Sequence, residues 1–424
     1  MSQRSPLLPI FLIVLVDVLG FTIVIPLLAL YAERFGASPL TATLIVSCYA
    51  VSSLIATPII GKLSDTYGRK PLLMISQAGT CLGFIVLGTS TALWMVFLGR
   101  IIDGITAGNL SLAQAYISDH TTPENRAKSF GVIGIAFGIG FMFGPALGGW
   151  LGQYGMHVPF VAAACLSACS IFATYTMLPK EVAPKAAPPK LDSGPVGPGG
   201  KRPSAFDVGA YAEYLRRPQL RALYFQFFLY TFAFSIFISG FALFAERRFL
   251  WGHPPRPWTA REVGFLFAFA GFAGIIWQGG VIGRLVKKYG EYKLCIYGFV
   301  TLVAAYALIT LVPADEWSWM IGITVMNSFG NGVLRPVITS RITQAVGRHE
   351  QGVAIGISGS LSSFAMMIAP PTGGFLLEHQ WLAAWPLVAA GVCGLGLIAV
   401  IASGTGAAVG PAPTIPKAEL HSDA

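Results

Sequence analysis

Four charged residues sit inside long apolar runs: Asp17, Arg100, Asp103 and Arg335. A charge at bilayer depth costs roughly 2.5–3.5 kcal/mol on insertion scales, so each must face a wet cavity or find a partner. Arg100 and Asp103 stand three residues apart, on one helix face, where they can pair. Asp17 has no partner within its own run. Its charged form is the costly one out of water, which suits a site that takes and releases a proton or meets a substrate. The other reading of Asp17 is a structural hydrogen bond between helices. For Asp103 the structural reading comes first, because Arg100 can hold it charged. Arg100 itself tunes the local field and does not titrate. Arg335 precedes Pro336. Either it snorkels to the near surface or it offers a fixed positive charge to an anionic group.

A second chemical feature lies between runs. Gly61-Lys-Leu-Ser-Asp65-Thr-Tyr-Gly68-Arg69-Lys70-Pro71 returns 222 residues later as Gly283-Arg-Leu-Val-Lys287-Lys-Tyr-Gly290-Glu291-Tyr-Lys293, with both signature charges inverted. Its glycines permit a tight turn, and Asp65 sits at a helix end where a cation can hold it. Arg126, in the next loop on the same face, is the expected partner, and such a pair would latch that face. The plainer reading is a turn with topogenic charge. Other echoes keep the same order. Leu30 to Arg34 returns at Leu243 to Arg247, Gly108-Asn109 at Gly330-Asn331, and Gly144-Pro145 with Gly148-Gly149 at Ala369-Pro370 with Gly373-Gly374. A chain duplicated in this way points to two related halves with a site between them.

The elements that must position these residues are legible in the composition. The chain is 54% apolar and 11% charged, where a soluble domain carries about 25% charged residues. Twelve apolar runs of spanning length occur, at 7–32, 42–61, 72–90, 93–117, 128–151, 157–178, 219–245, 261–283, 293–312, 317–340, 352–377 and 381–402. Backbone groups cannot stay unpaired in lipid, so these are read as helices, and they are too long for barrel strands. The expected fold is therefore all-α integral membrane, twelve transmembrane helices in two six-helix pseudo-repeats. Residues 1–178 form the first half, 179–218 a Pro- and Gly-rich cytoplasmic linker, 219–402 the second half and 403–424 a disordered tail. Within the linker, Tyr211 to Leu215 is read as a short amphipathic helix on the membrane surface.

Charge sets the orientation. With the N-terminus inside, the inner segments hold 21 Lys and Arg against 5 in the outer ones, which places both termini in the cytoplasm. The net charge of +9 thus follows topology and does not imply nucleic acid. All six cysteines lie in apolar runs, so no disulfide framework is expected. Two glycine ladders, Gly131, Gly134, Gly138, Gly140 and Gly144 in one half and Gly352, Gly356 and Gly359 in the other, are read as close helix contacts or as smooth faces that let the halves rock.

The loop at Gly61, Asp65, Gly68 and Arg69 resembles the signature loop of the major facilitator superfamily. Arg100-Ile-Ile-Asp103-Gly104 resembles its helix-4 pattern, Gly140 to Gly149 the helix-5 pattern associated with antiporters, and Asp17-Val-Leu-Gly20 with Pro26 the helix-1 pattern of the twelve-helix drug/proton antiporters. Trp94-Met95, Gly104-Ile-Thr106 and Val263-Gly264-Phe265 give the chain the look of the tetracycline/proton antiporters. Gln278 matches those exporters. Gly83, Gly274 and Leu302 stand where they carry an acid, a His and an acid, so the resemblance supports the antiporter class more than that substrate. It implies proton coupling at Asp17, Arg100 and Asp103, and gating by Gly61, Asp65, Gly68, Arg69, Arg126, Gly144 and Pro145. It also implies a cavity lined by helices 1, 4, 7 and 10. The polar candidates for substrate are Asn109, Gln114, Gln226, Gln278, Asn327, Asn331 and Arg335, with Tyr230 from an aromatic-rich helix 7.

Other classes lack their residues. No Gly-Lys-Ser/Thr phosphate loop is present, so ATP is not the expected energy source. The six His show no metal-ligand spacing, and no nucleophile–base constellation suggests an enzyme. The expectation is a monomeric, multi-pass cell-membrane protein without cofactor or metal. It would exchange a small amphipathic compound, drug- or tetracycline-like, for protons. The alternative is a facilitator or proton-coupled importer of a small metabolite on the same fold.

Overall fold

The computed structural model describes residues 7–120, 123–178, 213–347 and 350–404, without the side chains of 7, 8, 118–120, 123–134, 137, 279 and 352. Thirteen long helices follow one another among these residues: α1 (Leu7–Glu33), α2 (Pro39–Tyr67), α3 (Arg69–Gly88), α4 (Leu93–Ile105), α5 (Asn109–His120), α6 (Pro123–Leu151), α7 (Val158–Met177), α8 (Pro218–Arg248), α9 (Ala260–Ile275), α10 (Ile282–Ile309), α11 (Trp319–Gln344), α12 (Gln351–Glu378) and α13 (Ala384–Ala402). Nine spans among the described residues are long and apolar enough to cross a membrane by length and composition alone. A two-residue-per-strand hairpin, Leu250–Trp251 with Arg256–Pro257, joins α8 to α9. The terminal face, used below, is the one where α1 begins and α13 ends.

Local chemistry sets the helix ends. Ser38 caps α2 by accepting the Thr41 N–H, with Pro39 in the first turn. Thr259 and Glu262 form a reciprocal capping box on α9. The duplicated loops share one backbone device: Gly68 (φ 94°) separates α2 from α3, and Gly290 (φ 76°) bends α10 back on itself. Only glycine adopts such φ without strain.

Two of the expected runs depart from a simple helix. The fourth is broken at Thr106–Ala107–Gly108 into α4 and α5. Side chains of neighbouring helices take up the freed backbone groups. Ser76 Oγ donates to the Thr106 carbonyl and accepts the Gly108 N–H at 2.9 Å, while Thr57 donates to the Ala107 carbonyl at 2.9 Å. Broken helices persist at membrane depth only where such partners exist. The eighth run passes through a π turn, Ile276–Val281, between α9 and α10. Residues 213–216 are helical, with Tyr214 buried among hydrophobic residues; the earlier part of the expected linker helix lies outside the described residues.

Within the first half, α1 packs on α6 and α7, and α3 on α4 and α7; within the second, α8 packs on α12 and α13, and α10 on α11 and α13. Besides the contact of α1 with α8, the halves meet chiefly through two helix pairs, α2 with α12 and α6 with α9. The duplicated Gly-Gly pairs make these contacts. A Cβ on Gly149 would lie 2.7 Å from the Ala260 carbonyl, and one on Gly374 2.8 Å from the Pro39 carbonyl. Both contacts are at the face away from the termini. Toward the terminal face, a Cβ added at Gly61, Gly274, Gly280, Gly356 or Gly359 would meet nothing within 4 Å. The halves therefore close on each other at the face away from the termini, while these glycines meet open space among the described residues.

The two glycine ladders differ accordingly. Gly140, Gly144 and Gly148 press α6 onto Val18, Thr22 and Ile23 of α1, and Thr22 Oγ1 donates to the Gly140 carbonyl at 2.9 Å. Gly138 touches Ile275 instead, and Gly131 and Gly134 lie outside the described side chains. In the second ladder Gly356 and Gly359 are exposed, and a Cβ on either would meet nothing within 4 Å among the described residues.

Candidate functional site

The first half holds a buried polar layer about 15 Å from the terminal face, from the helix rise of 1.5 Å per residue. Gln77 of α3, fully buried, is its centre. Its amide nitrogen donates to Ser170 Oγ at 2.7 Å and points at Asp17 Oδ2 at 3.5 Å. Its amide oxygen accepts Thr174 Oγ1 at 2.9 Å, and Ser167 donates to its main-chain carbonyl at 3.2 Å. Ser170 in turn reaches the Ile13 carbonyl, one turn before Asp17. Three helices, α1, α3 and α7, are thus tied around one carboxyl. Asp17 Oδ1 is buried with no hydrogen-bond partner among the described residues.

Arg100 and Asp103 of α4 form a buried ion pair at 2.5 Å, with side chains 3% and 5% exposed. The Arg100 guanidinium lies 4.2 Å from the centre of the Tyr49 ring of α2, a cation–π contact that holds the cation in an apolar wall. Thr80 of α3 is within hydrogen-bonding reach of Asp103, and Asp103 is within electrostatic reach of Asp17. The two carboxyl groups therefore share one layer. Gly83 adjoins this pair. A Cβ there would meet the Gly99 carbonyl at 2.7 Å and Asp103 Cβ at 3.0 Å. Position 83 has no room for a side chain because the α4 backbone and the Asp103 Cβ already occupy the space.

The corresponding layer of the second half holds amides and phenols where the first half has carboxyl groups. Asn331 donates to the Asn327 carbonyl and side-chain oxygens at 2.9 and 3.0 Å, and it lies beside the Tyr306 hydroxyl. Tyr230 is buried nearby and feels the charge of Arg335. Leu302 packs under Gly330. Arg335 itself is exposed, as are Gln114 on α5 and Gln278 on the π turn. Asn109 opens α5 just after the helix break, with a buried Oδ1 that has no hydrogen-bond partner among the described residues. Gln226 is turned away from these groups: its amide donates to the Ala399 carbonyl and to Ser403 on the α13 side.

At the terminal face, Asp65 pairs with Arg69 of its own loop at 2.6 Å, and Arg69 also donates to Ser64. The Arg126 side chain lies outside the described residues. Arg217, at the end of the linker, makes a two-pronged pair with Glu350 at 2.9 and 3.1 Å. These hydrogen bonds hold the Glu350 carboxyl below its ordinary range.

The closed face carries the site that sequence reasoning missed. Glu33, at the end of α1, pairs with Arg247, at the end of α8, at 2.5 Å, with side chains about a fifth exposed. Glu378 of α12 accepts Ser38 Oγ at 2.9 Å and the Leu40 N–H at 3.2 Å. Both contacts join the halves. The signal was in the duplicated Ala-Glu-Arg: Ala32-Glu33-Arg34 and Ala245-Glu246-Arg247 supply one partner each. No comparable signal marks Gln77, Ser170 or Thr174, which are ordinary polar residues in apolar runs.

A family model described as Major Facilitator Superfamily matches residues 10–320 and 258–419. The chain is similar to the class D tetracycline resistance protein of Salmonella ordonez, 29% identical over 380 residues that cover 89% of this chain and 91% of that one. It is similar to Multidrug resistance protein 1 of Bacillus subtilis (strain 168), 26% identical over 361 residues, with 85% and 86% covered. In fold it is similar to the human organic anion transporter MFSD10, at a TM-score of 0.67 and 23% identity over 94% of this chain and all of that chain. The nucleoside transporter NupG superposes with a TM-score of 0.73 at 14% identity over 94% and 99%.

Proposed function

The chain belongs to the major facilitator superfamily, and from that premise we propose that it is a secondary active exporter of a small amphipathic compound, driven by exchange for protons. The observation that carries the proposal is Asp17. It is a carboxyl at membrane depth, tied to three helices through Gln77, with one buried oxygen free and a second carboxylate in reach. The end-to-end similarity to tetracycline and multidrug resistance proteins supports efflux and a drug-like substrate.

In the proposed cycle the terminal face is cytoplasmic, as the excess of Lys and Arg in its loops suggests. The halves would then part toward the cytoplasm and admit substrate among the polar groups of α5, α8 and α11. Asn109, Gln114, Tyr230, Gln278, Asn327, Asn331 and Arg335 are the candidates to meet it. Closing the terminal face would bring the Asp65–Arg69 loop against the second half while the Glu33–Arg247 pair opens. Residues 1–178 and 219–402 would rock as two bodies on the Gly149 and Gly374 contacts. A proton reaching Asp17 from outside would release the α1–α3–α7 tie, and the Arg100–Asp103 pair would set the field in which it binds. Neutral amides and phenols in the second half suit recognition more than coupling.

Reconstituted protein under an imposed pH gradient tests this reading. Substrate from a drug panel should move against the gradient's proton flow, and Asp17→Asn should abolish the dependence on ΔpH. Flux that ignores the gradient, or survives Asp17→Asn unchanged, overturns the proton role.

A further inference from the structure

We propose that the second copy of the duplicated loop is a binding site for an anionic phospholipid of the leaflet at the terminal face. Two independent features meet there. The first is charge. Arg284, Lys287, Lys288 and Lys293 surround the Gly290 turn; all four are exposed, and none has a carboxylate within 4.0 Å among the described residues. The one nearby acid, Glu291, is engaged by Ser340 Oγ at 2.7 Å and Gln344 Nε2 at 3.1 Å. The first copy differs. There Arg69 is paired with Asp65, and Lys70 is buried on the Tyr175 and Leu178 carbonyls. Cations consumed by protein in one half are left available in the other.

The second feature is an apolar groove that starts at the same turn. Trp277, Val281 and Leu285 form one wall, Leu294 and Tyr297 the other, and Phe329 of α11 the floor. Tyr289 stands at the mouth, its ring 5.8 Å from Tyr297 and 5.2 Å from Lys288 Nζ. From Trp277 to Tyr289 the helix rises about 18 Å, and one leaflet's hydrocarbon is about 15 Å deep. The groove therefore matches an acyl chain in depth, with cations at the level of its phosphate. Basic pockets between helices on this face are the usual seats of anionic headgroups. Topogenic charge alone explains the cations but not the groove beneath them. This site stands whether or not the exporter reading holds.

The test is native mass spectrometry of the full, delipidated chain titrated with phosphatidylglycerol or phosphatidylcholine of the same acyl composition. Phosphatidylglycerol should be retained in preference. Lys287→Gln with Lys288→Gln should lower that retention by about fivefold per cation, the equivalent of about 1 kcal/mol each. Val281→Trp, or Leu285→Gln where the first variant does not fold, should lower it with all charges intact. Equal retention of the two lipids overturns the proposal. So does a preference unmoved by the charge variant, or by the groove variants, or matched by glycerol phosphate without acyl chains.

Discussion

Breaking the Glu33–Arg247 pair should bias the transporter toward the conformation opened at the face away from its termini. The pair is bonded at two points, Arg247 Nη2 to Glu33 Oε1 at 2.5 Å and Nη1 to Oε2 at 3.4 Å. A fully exposed pair contributes about 0–1 kcal/mol and a hydrogen bond to a charged group about 1.5–3. With side chains 22% and 20% exposed, an intermediate value of roughly 1–2 kcal/mol is expected, a factor of about 5–30 in the ratio of conformers. The assay is alkylation by maleimide in a background without native cysteines. Gly356→Cys reports the terminal face, because a Cβ there meets nothing within 4 Å, and Leu40→Cys reports the closed one. In Glu33→Gln or Arg247→Gln, labelling should fall at position 356 and rise at position 40. The two substitutions together should do no more than either alone, and the exchange of Glu33→Arg with Arg247→Glu should restore the balance in part. Unchanged labelling in both single variants, or an exchange as disturbed as they are, would refute the assignment of this pair as a latch.

Three further outcomes follow from the buried layers and the linker. Gln77→Leu should cost roughly 1–3 kcal/mol by stranding Ser170 and Thr174 and should shift the pH profile of transport, whereas Gln77→Asn should keep part of both; thermal melts and ΔpH-driven flux read the two effects separately. Gly83→Ala should lower the melting temperature by an overpacking cost of about 1–3 kcal/mol, since its Cβ would lie 2.7 Å from the Gly99 carbonyl, while Gly356→Ala should leave it unchanged. The Arg217–Glu350 pair should matter only above acid pH. Hydrogen bonds from Arg217 depress the Glu350 carboxyl, so its stabilisation is full above the unfolded carboxylate range and is lost as pH falls through the lower folded value. Glu350→Gln should thus melt earlier than the parent at neutral pH, by under about 1 kcal/mol given the exposure of Arg217, and at the same temperature once the pH is below that value.

What was legible in the chain depended on whether the physics was local. Hydrocarbon length and backbone pairing placed the helical runs, and the repeated loop revealed two halves. The break at Thr106 was not legible, because Ser76 and Thr57, which satisfy the broken backbone, come from other helices. The π turn was equally hidden in an apolar run. Among the site residues, Arg100 and Asp103 were readable as a pair from their spacing, whereas the partner of Asp17 sits 60 residues away. Gln226 illustrates the converse. A polar residue on the expected helix looked available for substrate, yet packing turns it to α13.

The sequence by itself determined the membrane class, the duplication and the placing of the Arg100–Asp103 pair and the helix-1 acid in the first half, because each is a matter of composition, spacing or order along the chain. Only the tertiary structure decided which duplicated residues face each other. Gly149 and Gly374 became contacts between halves, Glu33 and Arg247 became partners, and Gly356 and Gly359 met open space. Their neighbours come from the other half, and which face of the bundle brings the halves together is not written in either copy. That choice of face is a property of the assembled bundle and not of any single helix.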